Sequence, residues 1–198
     1  MLKNKQAFIF FGSSGSGKGT QAEKVIEYLK KNDDREVKMI ETGKRFRDHV
    51  HYDSYLGKLS KDLMNQGKLW PTFISIWNWT TSLMEDLPEN SHLLIDGSPR
   101  QNGEPEILDT AYQFLGYDKV HVIYLDVSRE VVKERMLGRG RHDDEEEKIE
   151  RRLNWFYEVV VPMLEYYRKN SRYHFYDIDG NQDPEKVFED IMKEIDVE

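Results

Sequence analysis

Five short apolar runs recur along the chain, at residues 7–11, 37–40, 92–95, 120–127 and 174–178. Each is continuous rather than alternating, and the first is closed by Gly12, so each predicts a strand buried on both faces. Between them the apolar positions move to helical spacing. Ala22, Val25, Ile26 and Leu29 fall at i, i+3, i+4 and i+7, one stripe of an amphipathic helix. Strands that alternate with helices predict a parallel sheet with helices on both faces. The fold expected is α/β: a doubly wound three-layer α/β/α sandwich on a five-stranded parallel sheet.

Two segments interrupt that rhythm. Residues 42–75 read as a helical excursion between two strands. Residues 139–144 read as a short, highly charged turn between two helices, with Asp143 or Asp144 placed to cap the second. That helix carries Ile149, Leu153, Phe156, Val160 and Leu164 on one stripe, and Pro162 predicts a kink in it. The acidic run 143–147 reads as a helix N-terminus favoured by the macrodipole. Trp77 and Trp79, with Phe73 and Ile76, have the spacing of core or flap packing, whereas Trp70 is a candidate for a base pocket.

Composition narrows the classes. A chain of 198 residues, 38% hydrophobic, fits one domain with a real core. Its 37 acidic against 29 basic residues, a net charge of −8, disfavour general binding to nucleic acid or to anionic membranes. The absence of cysteine excludes disulfides and Cys-based zinc sites. The first apolar run is too short for a signal-peptide core and no stretch approaches a bilayer span, so a cytoplasmic protein is expected. The six histidines show no metal spacing beyond His49-x-His51, which reads as a solvated helix face.

The sharpest local signal is Gly12-Ser-Ser-Gly-Ser-Gly-Lys18-Gly19-Thr20, between a predicted strand and a predicted helix. Glycines in that context let backbone N–H groups converge on phosphate oxygens at a helix N-terminus, and Lys18 supplies a point charge for the β- and γ-phosphates. Most such loops place a magnesium-ligating hydroxyl directly after the lysine. Here Gly19 intervenes and the hydroxyl is Thr20, which argues against a GTPase or motor ATPase. Magnesium is then expected to be held mainly by phosphates and water, with acidic side chains behind that water.

Residues 15–21, GSGKGTQ, resemble the phosphate loop of the adenylate kinase family, which includes the UMP/CMP kinases. Thr42-Gly43…Arg47, Gly67-Lys68-Leu69, Asp96-Gly97-Ser98-Pro99-Arg100, Arg135…Arg139 and Arg141-His142-Asp143-Asp144…Arg152 resemble its further motifs, in order, over about residues 7–190. The resemblance implies a P-loop NTPase fold in a single domain over residues 1–198, with a monophosphate-binding flap at about 42–75 and a minimal lid at about 139–144. It implies that Gly15, Ser16, Gly17, Lys18, Gly19 and Thr20 bind ATP phosphates. Arg135 would stack on the ATP base, Arg139 would hold ATP phosphates, and the carbonyls near Gly180 and Asn181 would approach the base. Arg47 and Arg100 would clamp the acceptor phosphate, while Arg141 and Arg152 bridge the two substrates. Thr42, Gly43, Met64, Lys68, Leu69, Trp70, Gly97 and Glu104 would complete the AMP site. Asp96 would order water around magnesium, and Asp143 and Asp144 would tie the lid down.

That set suits phosphoryl transfer, which needs two anions held in line and developing charge neutralised, with no catalytic base. Arginine meets phosphate oxygens bidentately. The activity implied is ATP + AMP = 2 ADP, by a monomer whose flaps move freely and exclude water on closure. The alternatives are the same reaction on GMP, CMP or UMP, or a nucleotide-sensing module without turnover. The chain departs from the family pattern at four places. Only Gly140 separates Arg139 from Arg141, so leakage to ATP hydrolysis is expected. Glu104 replaces a Gln; an ionised Glu accepts only, which suits guanine better than adenine, unless it points to solvent and Gln101 or Asn102 reaches the base. Lys44 replaces an Asp. Ser98 and Ser14 replace Phe and Pro as packing changes.

Overall fold

The computed structural model describes residues 2–49, 53–140 and 144–195. The strands are β1 (Ala7–Phe11), β2 (Val37–Glu41), β3 (His92–Asp96), β4 (Val120–Asp126) and β5 (Tyr173–Asp179). They form one parallel sheet in the order β2-β3-β1-β4-β5. The three-layer α/β/α expectation therefore holds, with strand ends shifted by a residue or so.

β1 shows why its run is continuously apolar. Ala7, Ile9 and Phe11 face a core that includes Trp79, Leu108, Tyr112, Leu164 and Tyr167. Phe8 and Phe10 face the opposite core, with Ala22, Val25, Leu29, Val187 and Ile191. Alternate side chains thus bury in separate layers, so no position on this strand tolerates a polar residue. His92 and His121 share that sheet as core groups: the Gln6 N–H donates to His92 Nδ1 at 2.9 Å, and Gln6 Oε1 lies 3.0 Å from His121 Nε2. Burial lowers the pKa of both, His121 to about 3.

The first helix layer includes α1 (Lys18–Asn32), which leaves the loop after β1. Between β2 and β3 lie α2 (Thr42–His49), α3 (Tyr55–Asn65) and α4 (Thr72–Asp86). Only one face of α4 is covered: Trp79 is buried, but Phe73 and Trp77 are exposed, so the packing expected for all of that cluster is limited to its inner stripe. Next come α5 (Glu104–Leu115), between β3 and β4, and α6 (Arg129–Arg139), which follows β4. After it, α7 (Glu146–Trp155) runs through a π turn, Phe156–Val160, into α8 (Val161–Lys169); α9 (Pro184–Glu194) follows β5.

The kink expected at Pro162 takes the form of that π turn. Pro162 has no N–H to return to the preceding turn, and the Val161 N–H instead reaches Phe156 O, five residues back. The stripe Ile149, Leu153, Phe156, Val160 and Leu164 stays buried throughout. The expected Asp144 cap is not made. α7 begins after Glu145 with no side-chain cap, while Glu146 and Glu147 occupy its first turn. Asp144 is drawn away by two arginines, as described next.

Candidate active site

Because the strand order reverses at β1, the chain leaves β1 and β3 at a crevice over the carboxyl edge of the sheet, where an open α/β sheet binds its ligand. The loop after β1 turns there into α1. Lys18, the first residue of α1, folds back so that its Nζ donates to Gly12 O and Ser13 O, both at 2.8 Å. Ser16 Oγ is buried without a hydrogen-bond partner. The loop lies directly against α6: a Cβ on Gly15 would sit 2.7 Å from Met136 Cγ and 3.2 Å from Val132 O, so only glycine fits.

Two clefts open from this loop. One is lined by Gly15, Gly17, Lys18, Gly19, Thr20, Asp96 and Arg135. The other is lined by Phe46, Met64, Lys68, Leu69, Trp70 and Arg152. They meet: Ser14, Gly43, Arg47, Arg100 and Arg139 line both. The second cleft has an apolar wall in which Phe46 and Trp70 stack with ring centres 4.2 Å apart.

Each arginine has a local anchor. Arg100 Nε donates to Gly97 O at 2.6 Å, and its guanidinium carbon lies 5.4 Å from the centre of the Trp155 ring. Burial lowers the Arg100 pKa; the charges of Arg152 and Arg47 act in the same direction, against Asp96 and Glu104. An incoming anion would relieve that crowding of positive charge. Arg47 Nη2 donates to Glu41 Oε1 at 3.2 Å. Arg135 gives both terminal nitrogens to Gly180 O, each at 3.2 Å. Asp144 is buried between two cations: it accepts from Arg139 Nε and Nη2 at 2.5 and 2.9 Å and from Arg152 Nη1 at 3.1 Å. One carboxylate thus binds the end of α6 to the middle of α7. Asp96 Oδ1 is buried without a partner, and Asp96 Oδ2 would lie 4.0 Å from a Cβ on Gly19.

Some expected residues lie elsewhere. Thr42 is fully buried, its hydroxyl donating to Asp96 O at 3.1 Å beneath the cleft. Gly97 lines the loop-side cleft rather than the apolar one. The Asn181 side chain turns away, its Oδ1 accepting from the Ser128 N–H at 2.9 Å, while the neighbouring Gly180 carbonyl faces Arg135 of the loop cleft. Lys44 is exposed. Glu104 points neither to solvent nor into the cleft lining: it is buried at the start of α5, where Ser75 Oγ donates to its Oε2 at 2.8 Å and its Oε1 has no partner. Burial raises its pKa. Ser75 and Gln101 take the cleft positions near it, and Gln101 Nε2 donates to Trp70 O at 2.7 Å. Arg141, His142, Asp143 and His51 lie outside the described residues.

Sequence reasoning missed Phe46, Ser75 and Trp155 as cleft residues. Trp155 had a legible signal, since it stands three positions after Arg152 and therefore on the same helix face.

A phosphate loop joined to a second arginine-lined cleft through shared cations defines a P-loop phosphotransferase. A family model described as adenylate kinase matches residues 10–172. An adenylate kinase of Prochlorococcus marinus is 34% identical over 180 residues, covering 89% of this chain and 92% of that protein. Adenylate kinase 2 of Nostoc sp. is 35% identical over 185 residues, covering 93% and 96%. An adenylate kinase of Bacteroides fragilis is 32% identical over 192 residues, covering 95% and 97%. The chain belongs to the adenylate kinase family.

Proposed function

We propose that the chain transfers the γ-phosphoryl group of ATP to AMP, giving two ADP, with the loop cleft as donor site and the apolar cleft as acceptor site. One observation carries this reading: Arg47, Arg100 and Arg139 line both clefts, so phosphates entering from opposite sides meet the same cations. An acceptor phosphate oxygen attacks the γ-phosphorus as the bond to the β-phosphate oxygen breaks. Arg47 and Arg100 hold the acceptor and Arg139 and Arg152 flank the transferring group; the family resemblance assigns Arg141, outside the described residues, a role with them. Lys18 exchanges its loop carbonyls for phosphate oxygens and neutralises charge developing on ADP. Asp144 fixes two of these guanidinium groups in orientation before substrate arrives. Arg135, held by Gly180 O through both terminal nitrogens, leaves its face for the adenine of ATP.

Residues 42–75 act as the acceptor flap and residues 139–144 as the lid. Asp96, whose Oδ1 has no partner and which lines the loop cleft with Gly19 and Thr20, fits a magnesium ion carried in by ATP, which it would hold through water. Bound there, the ion supplies charge neutralisation on the phosphates. The net charge of −8 supports small nucleotides rather than nucleic acid as partners, for a monomer working in the cytoplasm. No helix among the described residues is long and apolar enough to cross a membrane.

Burial of Glu104 removes the main objection to adenine. The side chain is held by Ser75 Oγ away from the cleft lining, where Ser75 and Gln101 stand instead, so its carboxylate does not select the base. A panel of AMP, GMP, CMP, UMP and dTMP with ATP and magnesium, followed by product formation, is expected to rank AMP first by at least about tenfold in kcat/KM. Glu104→Gln is expected to keep that order. GMP first in the wild type, returning to AMP in the variant, would instead assign Glu104 as an ionised guanine reader.

A further inference from the structure

Trp155 is the last residue of α7, on the face that carries Arg152 into the cleft. It makes two contacts in different directions. Its indole N–H donates to Gly67 O at 3.0 Å, and its ring lies beside the Arg100 guanidinium at 5.4 Å. One turn earlier on the same helix, Arg151 Nη1 donates to Gln66 O at 3.0 Å. These two carbonyls follow the end of α3, where the N–H groups of Gln66, Gly67 and Lys68 turn back to Asp62, Met64 and Leu63. The donors of the turn are thus used within α3, while its carbonyls face α7. The fit is close: Gly67 has φ +62°, and a Cβ there would stand 3.1 Å from Lys148 O.

We propose that Trp155 is a positioning residue of the acceptor site: its N–H holds the 42–75 excursion against α7 through Gly67, and its ring face holds Arg100 in the shared cleft. An indole has a donor and no acceptor, so this N–H is matched to a carbonyl, and its electron-rich face is matched to a guanidinium. One side chain thereby ties closure of the excursion to the placement of the cation that meets the acceptor phosphate. The proposal rests on reading residues 42–75 as the acceptor flap.

The test is steady-state kinetics of Trp155→Phe and Trp155→Leu, varying AMP and ATP separately, with thermal melting alongside. Phe keeps the ring and loses the N–H. It is expected to raise KM for AMP about three- to tenfold, with kcat and KM for ATP within about twofold. Leu loses both contacts and is expected to lower kcat as well, by about tenfold. Gly67→Ala attacks the same contact from the other side without touching Arg100, and is expected to reproduce the Phe effect. Arg47→Ala serves as the control for the acceptor reading. If it raises KM for AMP while Trp155→Phe and Gly67→Ala do not, the positioning role is wrong and the site reading stands. If KM for both substrates rises equally in step with a lower melting temperature, Trp155 is only structural and the proposal fails. If even Arg47→Ala leaves KM for AMP unmoved, the acceptor reading fails and takes this proposal with it.

Discussion

Lys18→Ala is expected to lower kcat for ADP formation by about 10²–10³ with the melting temperature nearly unchanged, as for removal of one preorganised donor from a developing charge. The ammonium sits at the base of the loop on Gly12 O and Ser13 O, both at 2.8 Å, so it is aimed before substrate binds. Those neutral carbonyls release it readily to phosphate oxygens, because an ion–ion contact in a dry cleft is stronger than an ion–dipole one. Lys18→Arg is expected to fare little better. A planar fork cannot replace a compact ammonium in so narrow a loop, and Lys18 is already 9% exposed. Kinetics with a circular-dichroism check of folding decide the matter. A loss under tenfold in Lys18→Ala would mean that backbone amides and arginines carry the transferring phosphate without this lysine, and one in Lys18→Arg would mean that charge alone suffices there.

Arg100→Met is expected to cost still more on the acceptor side, lowering kcat/KM for AMP by about 10²–10⁴ while KM for ATP stays within about threefold. Two charge-assisted hydrogen bonds to a phosphate are lost, at about 1.5–3 kcal/mol each. The guanidinium is held by Gly97 O through Nε, at 2.6 Å, and by the Trp155 ring. Its terminal nitrogens therefore remain for a bidentate contact. Arg100→Lys is expected to recover only part of the loss, because the fork geometry goes even though the charge stays. Equal losses for AMP and ATP would place Arg100 on the transferring group rather than on the acceptor.

Much of this architecture was legible in the sequence because it depends on local pattern. The run 7–11 announces a strand between two cores, and the structure divides it into Phe8 and Phe10 on one side and Ala7, Ile9 and Phe11 on the other. The loop from Gly12 to Thr20 carries its context with it, strand before and helix after. What escaped depends on partners that local pattern does not reveal. Asp144 read as a helix cap from its place before a helix and, by the family resemblance, as a tie for the lid; only the cap is not made. Two arginines, five residues before and eight after, outcompete that weak local bond with charge. Glu104 looked like a base reader or a solvated side chain, since sequence does not show which way the first turn of α5 docks; Ser75, 29 residues away, decides it. The helix face of Trp155 was legible from Arg152, but its hydrogen bond was not, because the acceptor, Gly67 O, is 88 positions away. Pro162 correctly marked a disturbance, but whether the helix bends or inserts a π turn depends on keeping Phe156 and Val160 in the core.

The convergence of cations on two substrates is tested most directly by a crystal structure with an adenine dinucleoside polyphosphate that spans both sites. Lys18, Arg47, Arg100, Arg141 and Arg152 are expected to contact one continuous polyphosphate chain, with one adenine against Arg135 and the other against the Phe46–Trp70 wall. A closed structure in which those side chains diverge, or in which the ligand's second base lies outside the apolar cleft, would contradict the account.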